Sequence, residues 1–198
     1  MKTLVLASAS ASRQALLRAA GVTFAVEPAA IDEAALMRAL VAKASSAEAV
    51  VATLAREKAL DVSRHRPGET VLGGDSVLAL GDEILGKCPD LTALRALLLR
   101  LSGRDHHLVS GAALVRDGKI LWHHVAAVRM TVRPLSAAFV DAYLARGGEA
   151  LLGSVGGYHF EGLGAQLFEK TEGDYFSILG LPLLPVLAVL RAEGLLET

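Results

Sequence analysis

Cysteine is almost missing from this chain. A single Cys88 among 198 residues makes an internal disulfide impossible and points to a reducing, cytoplasmic compartment. Charge of one sign is lacking as well. The formal net charge is -1, without the basic excess that nucleic-acid and anionic-membrane binders rely on. Long hydrophobic runs are absent. The longest, Leu181 to Leu190, holds Pro182 and Pro185 and is too short to span a bilayer. Leu4-Val5-Leu6-Ala7, behind Lys2, is shorter than a secretory apolar region and is soon followed by Arg13, so no signal peptide is expected. Aromatics make up 5% of the chain against 53% hydrophobic residues, which leaves Leu, Val and Ala to build the core. The length suits one large domain or two small lobes.

What is there centres on Thr70 to Lys87. The stretch reads as a buried strand broken by Gly73, Gly74 and Asp75, a Gly81-Asp82 hairpin turn, and a short strand ending at Lys87. An unpaired carboxylate on an apolar strand is costly, and the glycines leave room for a ligand or another backbone to come close. If the hairpin forms, Lys87 folds back towards the strand carrying Asp75. Two readings stay open on this stretch alone: a structural Asp–Lys pair, or a polyanion site with a metal.

Elsewhere the pattern alternates between strands and helices. Thr3 to Ala7 reads as a strand. It runs into Ser8-Ala9-Ser10-Ala11-Ser12-Arg13 and a helix stopped by Gly21. That turn can cradle a phosphate through helix N–H groups, hydroxyls and Arg13, or simply cap the helix through Ser10 or Ser12. Phe24 to Val26 reads as a second strand, followed by Ile31-Asp32-Glu33, whose acids serve a metal or start a partly helical stretch over 34–44. Ser45 and Glu48 have capping-box spacing, opening a helix to about Ser63. On it Lys58 shares a stripe with Val51 and Leu54, either snorkelling along the core edge or pointing into a site.

Leucines from Leu91 to Leu101 mark an amphipathic helix. His106 to Val115 and Lys119 to Val132 flank Asp117-Gly118, a hairpin signal. The doublets His106-His107 and His123-His124 do not make a zinc site, since strand neighbours point to opposite faces. HExxH and CxxC are both missing. Ser136 caps a helix ended by Gly147-Gly148. The segment Gly153 to Gly164 reads as a glycine-rich loop bearing Glu161, with a short strand over 165–168, a turn over 172–175 and a last helix ending near Gly194.

Taken in order, these signals resemble a known family. They are Ala7-Ser8-Ala9-Ser10-x-x-Arg13, Ile31-Asp32-Glu33, Glu57-Lys58-Ala59, Gly74-Asp75-Ser76-Val77, Leu85-Gly86-Lys87, Leu101-Ser102-Gly103-Arg104-x-His106, Gly157-Tyr158-x-x-Glu161-Gly162 and Ile178-x-Gly180-Leu181-Pro182. The series resembles the Maf family of nucleoside triphosphate pyrophosphatases, also called septum-formation-inhibitor-like proteins, over nearly the whole chain. The resemblance implies a single Maf-like domain over 1–198, an α/β fold with an elongated mixed β-sheet flanked by helices, and two lobes around a nucleotide cleft. It implies hydrolysis of a nucleoside triphosphate to the monophosphate and pyrophosphate with a divalent metal, Mg²⁺ or Mn²⁺. Asp75 falls at the family's proton acceptor, and Glu33 and Asp75 at its metal site. Ser8, Arg13, Lys58 and Lys87 fall at its substrate-binding positions. Ser12, Ser76 and Glu161 fall where base preference is set. Glu161 resembles the 7-methyl-GTP branch, whereas Ala11 and Ser12 depart from the commoner Pro and Arg or Trp. A homodimer is a family-level expectation. Rival readings are a broad house-cleaning pyrophosphatase and a catalytically weak nucleotide-binding regulator of cell division.

Overall fold

The structure, a computed structural model, describes residues 3–197; Lys2, weighed above as part of a leader, lies outside them. Among the described residues seven strands form one mixed sheet. They are β1 (Leu4–Leu6), β2 (Ala25–Val26), β3 (Thr70–Leu80), β4 (Glu83–Leu85), β5 (Asp105–Arg116), β6 (Lys119–Val132) and β7 (Phe168–Glu172). The order across the sheet is β2-β1-β3-β5-β6-β7, with β4 also on β3. β1 is parallel to both β2 and β3, and the remaining pairs are antiparallel. Both expected two-residue turns form. Leu80 pairs with Glu83 across Gly81-Asp82, and Arg116 with Lys119 across Asp117-Gly118.

The helices are α1 (Ala11–Ala19), α2 (Glu33–Ala42), α3 (Ala47–Ser63), α4 (Leu91–Leu101), α5 (Ala137–Gly147), α6 (Tyr175–Ile178) and α7 (Leu183–Ala192). α3 lies along one face of β3, where odd-numbered residues point. There Val71 meets Ala59 and Val62, and Val77 meets Val51 and Leu54. Gly73 is what lets the helix come this close. A Cβ there would overlap the Ala55 carbonyl oxygen and stand 2.9 Å from the Ala59 nitrogen. On the other face Leu72 joins a cluster with Leu6, Leu17, Leu114 and Leu181, and Leu78 joins one with Leu94, Leu98 and Tyr158.

Some local expectations need correction. Ser46, not Ser45, caps α3, accepting from Ala49 N–H at 3.2 Å. Ser45 instead donates its N–H to Leu40 O after the left-handed Ala44 and so closes the end of α2. The strand expected over 165–168 begins only at Phe168. Leu163–Leu167 is a 3-10 turn, because the glycines let Gly164 N–H and Ala165 N–H fold back onto His159 O and Gly162 O. The turn expected over 172–175 ends β7 and, through the cap Asp174, starts α6. No helix among the described residues is long and apolar enough to cross a membrane.

Candidate active site

β3 is paired along one edge with β5 from Thr70 to Ala79. Its other edge is paired at the two ends only. β1 takes Thr70 to Leu72 and β4 takes Leu78 to Leu80. Between them, residues 73–77 have no strand partner on that edge among the described residues, and this opening holds Gly74-Asp75-Ser76. Openings between diverging strands of an α/β sheet are where ligands commonly bind.

Successive strand residues face opposite ways, so the opening joins two chemically different clusters. On the α3 face, Lys58 Nζ lies 2.5 Å from Asp75 Oδ1 and 2.7 Å from Glu33 Oε2. The side chains of Lys58 and Asp75 are 7% and 12% exposed, whereas that of Glu33 is 52% exposed. The Lys58–Asp75 pair is therefore well shielded from solvent, and the contact to the open Glu33 adds little stability. Lys58 is held there by its helical stripe, which buries Val51, Leu54 and Ala55 below it.

On the opposite face Arg13 is buried at the start of α1. Its Nε donates to Gly180 O at 2.7 Å, one terminal nitrogen to Ser8 Oγ at 3.2 Å and the other to Ser76 Oγ at 2.9 Å. Gly74 leaves space for it, since a Cβ there would stand 3.2 Å from Arg13 Nε. Burial pulls the guanidinium below its ordinary value, and the charges of Asp75 and Glu33 oppose that pull. Ser10 caps α1, accepting from Arg13 N–H at 3.4 Å. This settles the choice between Ser10 and Ser12. Ser12 lies in the first turn and faces a cavity shared with Arg13, Ser76, Lys87, Tyr158 and Glu161. A second cavity is lined by Glu33, Asp75, Ser76 and Lys87, with Met37, Leu54 and Ile84 as apolar wall. Ser76 and Lys87 line both. The hairpin thus returns Lys87 to Asp75's cavity, where its exposed ammonium has no ion pair among the described residues.

The Glu161 loop is fixed from beneath. Tyr158 Oη lies 3.0 Å from His106 Nε2, and Tyr143 Oη donates to Gly157 O at 2.9 Å. Burial raises both phenols, Tyr143 to about 12. His106 is buried while His107 is exposed, as strand alternation requires. The sequence reading missed Ser110, which is fully buried with Oγ 2.8 Å from Ser76 Oγ, and the carbonyls of Ser177 and Gly180. Ser110 was detectable as the lone hydroxyl in the apolar run from Leu108 to Val115. The carbonyls left no side-chain signal.

The family model described as "Maf-like protein" matches residues 3–193. The chain belongs to the Maf family. It is 50% identical to a protein of Brucella abortus named "7-methyl-GTP pyrophosphatase" and 50% identical to one of Mesorhizobium japonicum with the same name; each match covers 98% of both chains. It is 49% identical to a Rhodopseudomonas palustris protein named "Nucleoside triphosphate pyrophosphatase", over 98% of this chain and 95% of that one. The matched span takes in the residues of both clusters around the opening in β3.

Proposed function

We propose that this Maf family member is a nucleoside triphosphate pyrophosphatase, releasing a nucleoside monophosphate and pyrophosphate. The observation that carries the reading is the opening in β3. It brings Arg13, Lys58 and Lys87 together with Asp75 and Glu33 around two adjoining cavities. A triphosphate carries about four negative charges at neutral pH, so holding it in place and neutralising its charge dominate the catalytic problem. Arg13 and Lys87 bind the phosphate chain with the Ser8 hydroxyl, and Lys58 keeps Asp75 oriented. Asp75 positions the attacking water at the α-phosphorus and takes its proton.

A divalent metal, Mg²⁺ or Mn²⁺, fits these residues. Two carboxylates, Glu33 and Asp75, converge on one cationic nitrogen, and no group of three or more candidate ligands exists among the described residues. Such a pair suits a hard cation that shares its remaining positions with phosphate oxygens and water. Bound there, the cation would supply charge neutralisation and Lewis acidity. Ser12, Ser76 and Glu161 line the cavity assigned to the nucleoside. We place 7-methyl-GTP first among substrates, because relatives at 50% identity carry that name and the Glu161 carboxylate suits a cationic purine. A single domain, a homodimer and a cytoplasmic location complete the reading on family resemblance.

The test is Asp75→Asn. It should lower pyrophosphate release at least about a hundredfold, the lower end for loss of a general base, while circular dichroism stays that of the parent. Near-normal release by the variant would sink the assignment.

A further inference from the structure

The two serines bonded to Arg13 are wired with opposite polarity. A serine hydroxyl has one proton to donate and two lone pairs to accept with. Ser8 Oγ accepts from Ser10 N–H at 3.3 Å and from Arg13 at 3.2 Å. Both lone pairs are taken, and its proton is left to donate.

Ser76 is arranged the other way. Its Oγ accepts from Arg13 and lies 2.8 Å from Ser110 Oγ, which in turn lies 2.8 Å from the Ser177 carbonyl oxygen. Oxygens this close need a proton between them. A carbonyl has none, so the Ser110 proton points to Ser177 O. Ser76 must then supply the proton between itself and Ser110. The reverse arrangement would leave hydroxyl and carbonyl lone pairs facing each other at a residue with 0% exposure, where no water can intervene. The carbonyl is held in place because α6 is pinned by its cap, Asp174, which accepts from Ser177 N–H at 2.8 Å and Ser177 Oγ at 2.6 Å. Ser76 is left with one lone pair and no free proton beside the cavity it lines. Glu161, in the same lining, is a second group that only accepts when ionised.

We propose that Ser110 is a positioning residue that fixes Ser76 as an acceptor, so that this cavity reads an N–H or O–H donor of the nucleoside. Ser8, with its free proton, faces the anionic phosphate chain. Arg13 spans the boundary between the two. This inference rests on the nucleotide reading above and adds the polarity of the group recognised. That donor is either the 2-amino group of the base or a ribose hydroxyl.

The test uses the full chain and α,β-methylene triphosphates, which bind without being hydrolysed between the α and β phosphorus atoms. Calorimetric affinities are compared for the analogues of GTP and of ITP, which lacks the 2-amino donor, and for 2′-deoxy and 3′-deoxy forms of the GTP analogue. The wild type should prefer the analogue carrying the donor. Ser110→Ala should shrink that preference at least about threefold, the scale of one neutral hydrogen bond. In a Ser76→Ala background it should shrink it no further. The preference that responds, amino or ribose, identifies the donor. Ser110→Cys, close in volume but a weak donor and acceptor, should shrink it similarly and serves if the alanine variant does not fold.

A folded Ser110 variant that keeps both preferences would overturn the inference. So would one that changes them equally in the Ser76→Ala background, or a wild type that binds all the analogues alike. Pyrophosphate release from GTP and 7-methyl-GTP is scored separately. Selective binding without release overturns the pyrophosphatase reading alone, and release with selectivity untouched in Ser110→Ala overturns this inference alone.

Discussion

His106 makes stability depend on pH in a calculable way. Its ring is 1% exposed, with Nε2 against Tyr158 Oη and no partner for Nδ1 among the described residues. The rings of Tyr158 and Phe168 pack beside it and Met130 pairs with it on β6. Burial, helped by His107 and opposed by Asp105, lowers it from 6.5 to about 4. A histidine lowered on folding is protonated first in the unfolded chain. Its neutral state therefore costs nothing above pH 6.5, and stability falls as pH drops from 6.5 to about 4. At about 1.4 kcal/mol for each tenfold change in proton concentration, the loss reaches about 2 kcal/mol by pH 5 and about 3 kcal/mol by pH 4. His106→Gln can still bond Tyr158 but cannot titrate. Urea unfolding at pH 7 and pH 5 should show the wild type losing about 2 kcal/mol more than the variant. Equal losses in the two proteins would refute the reasoning.

Two further substitutions test how the fold holds the site. Gly73→Ala drives a methyl into the Ala55 carbonyl and must lift the helix that carries Lys58. Urea unfolding should show a loss of about 3 kcal/mol, at the upper end for overpacking, together with reduced turnover; an unchanged midpoint would show that the contact is not tight. Arg13→Lys replaces a fork bonded to Ser8, Ser76 and Gly180 by a single ammonium. Steady-state kinetics should show KM raised about tenfold, the equivalent of about 1.4 kcal/mol, with a smaller change in kcat.

Much of this was legible in the sequence because it rests on local rules. The turns at Gly81-Asp82 and Asp117-Gly118 announce themselves, and the stripe Val51, Leu54, Lys58 places a lysine on the apolar face of its helix before any partner is known. The structural pair weighed for the Thr70 to Lys87 stretch was Asp75 with Lys87, and it does not form: Lys87 stays exposed with no ion pair among the described residues, because Lys58 from α3 takes Asp75 instead, beside an opening. That opening was not legible. It exists because β1 and β4 share one edge of β3 without meeting, which depends on non-local pairing. Gly73 and Gly74 looked equivalent, yet one admits the backbone of α3 and the other the side chain of Arg13. The capping site slipped from Ser45 to Ser46 because the end of α2 claims Ser45, a competition that spacing alone does not reveal. Ser110 and the two carbonyls matter only through the residues they touch.

The central claim is that water attacks the α-phosphorus at Asp75, and oxygen-isotope labelling tests it most directly. Turnover of a triphosphate in ¹⁸O-water, followed by mass spectrometry, should place the label in the nucleoside monophosphate and leave the pyrophosphate unlabelled. Label in the pyrophosphate, or release of orthophosphate as the first product, would contradict the account.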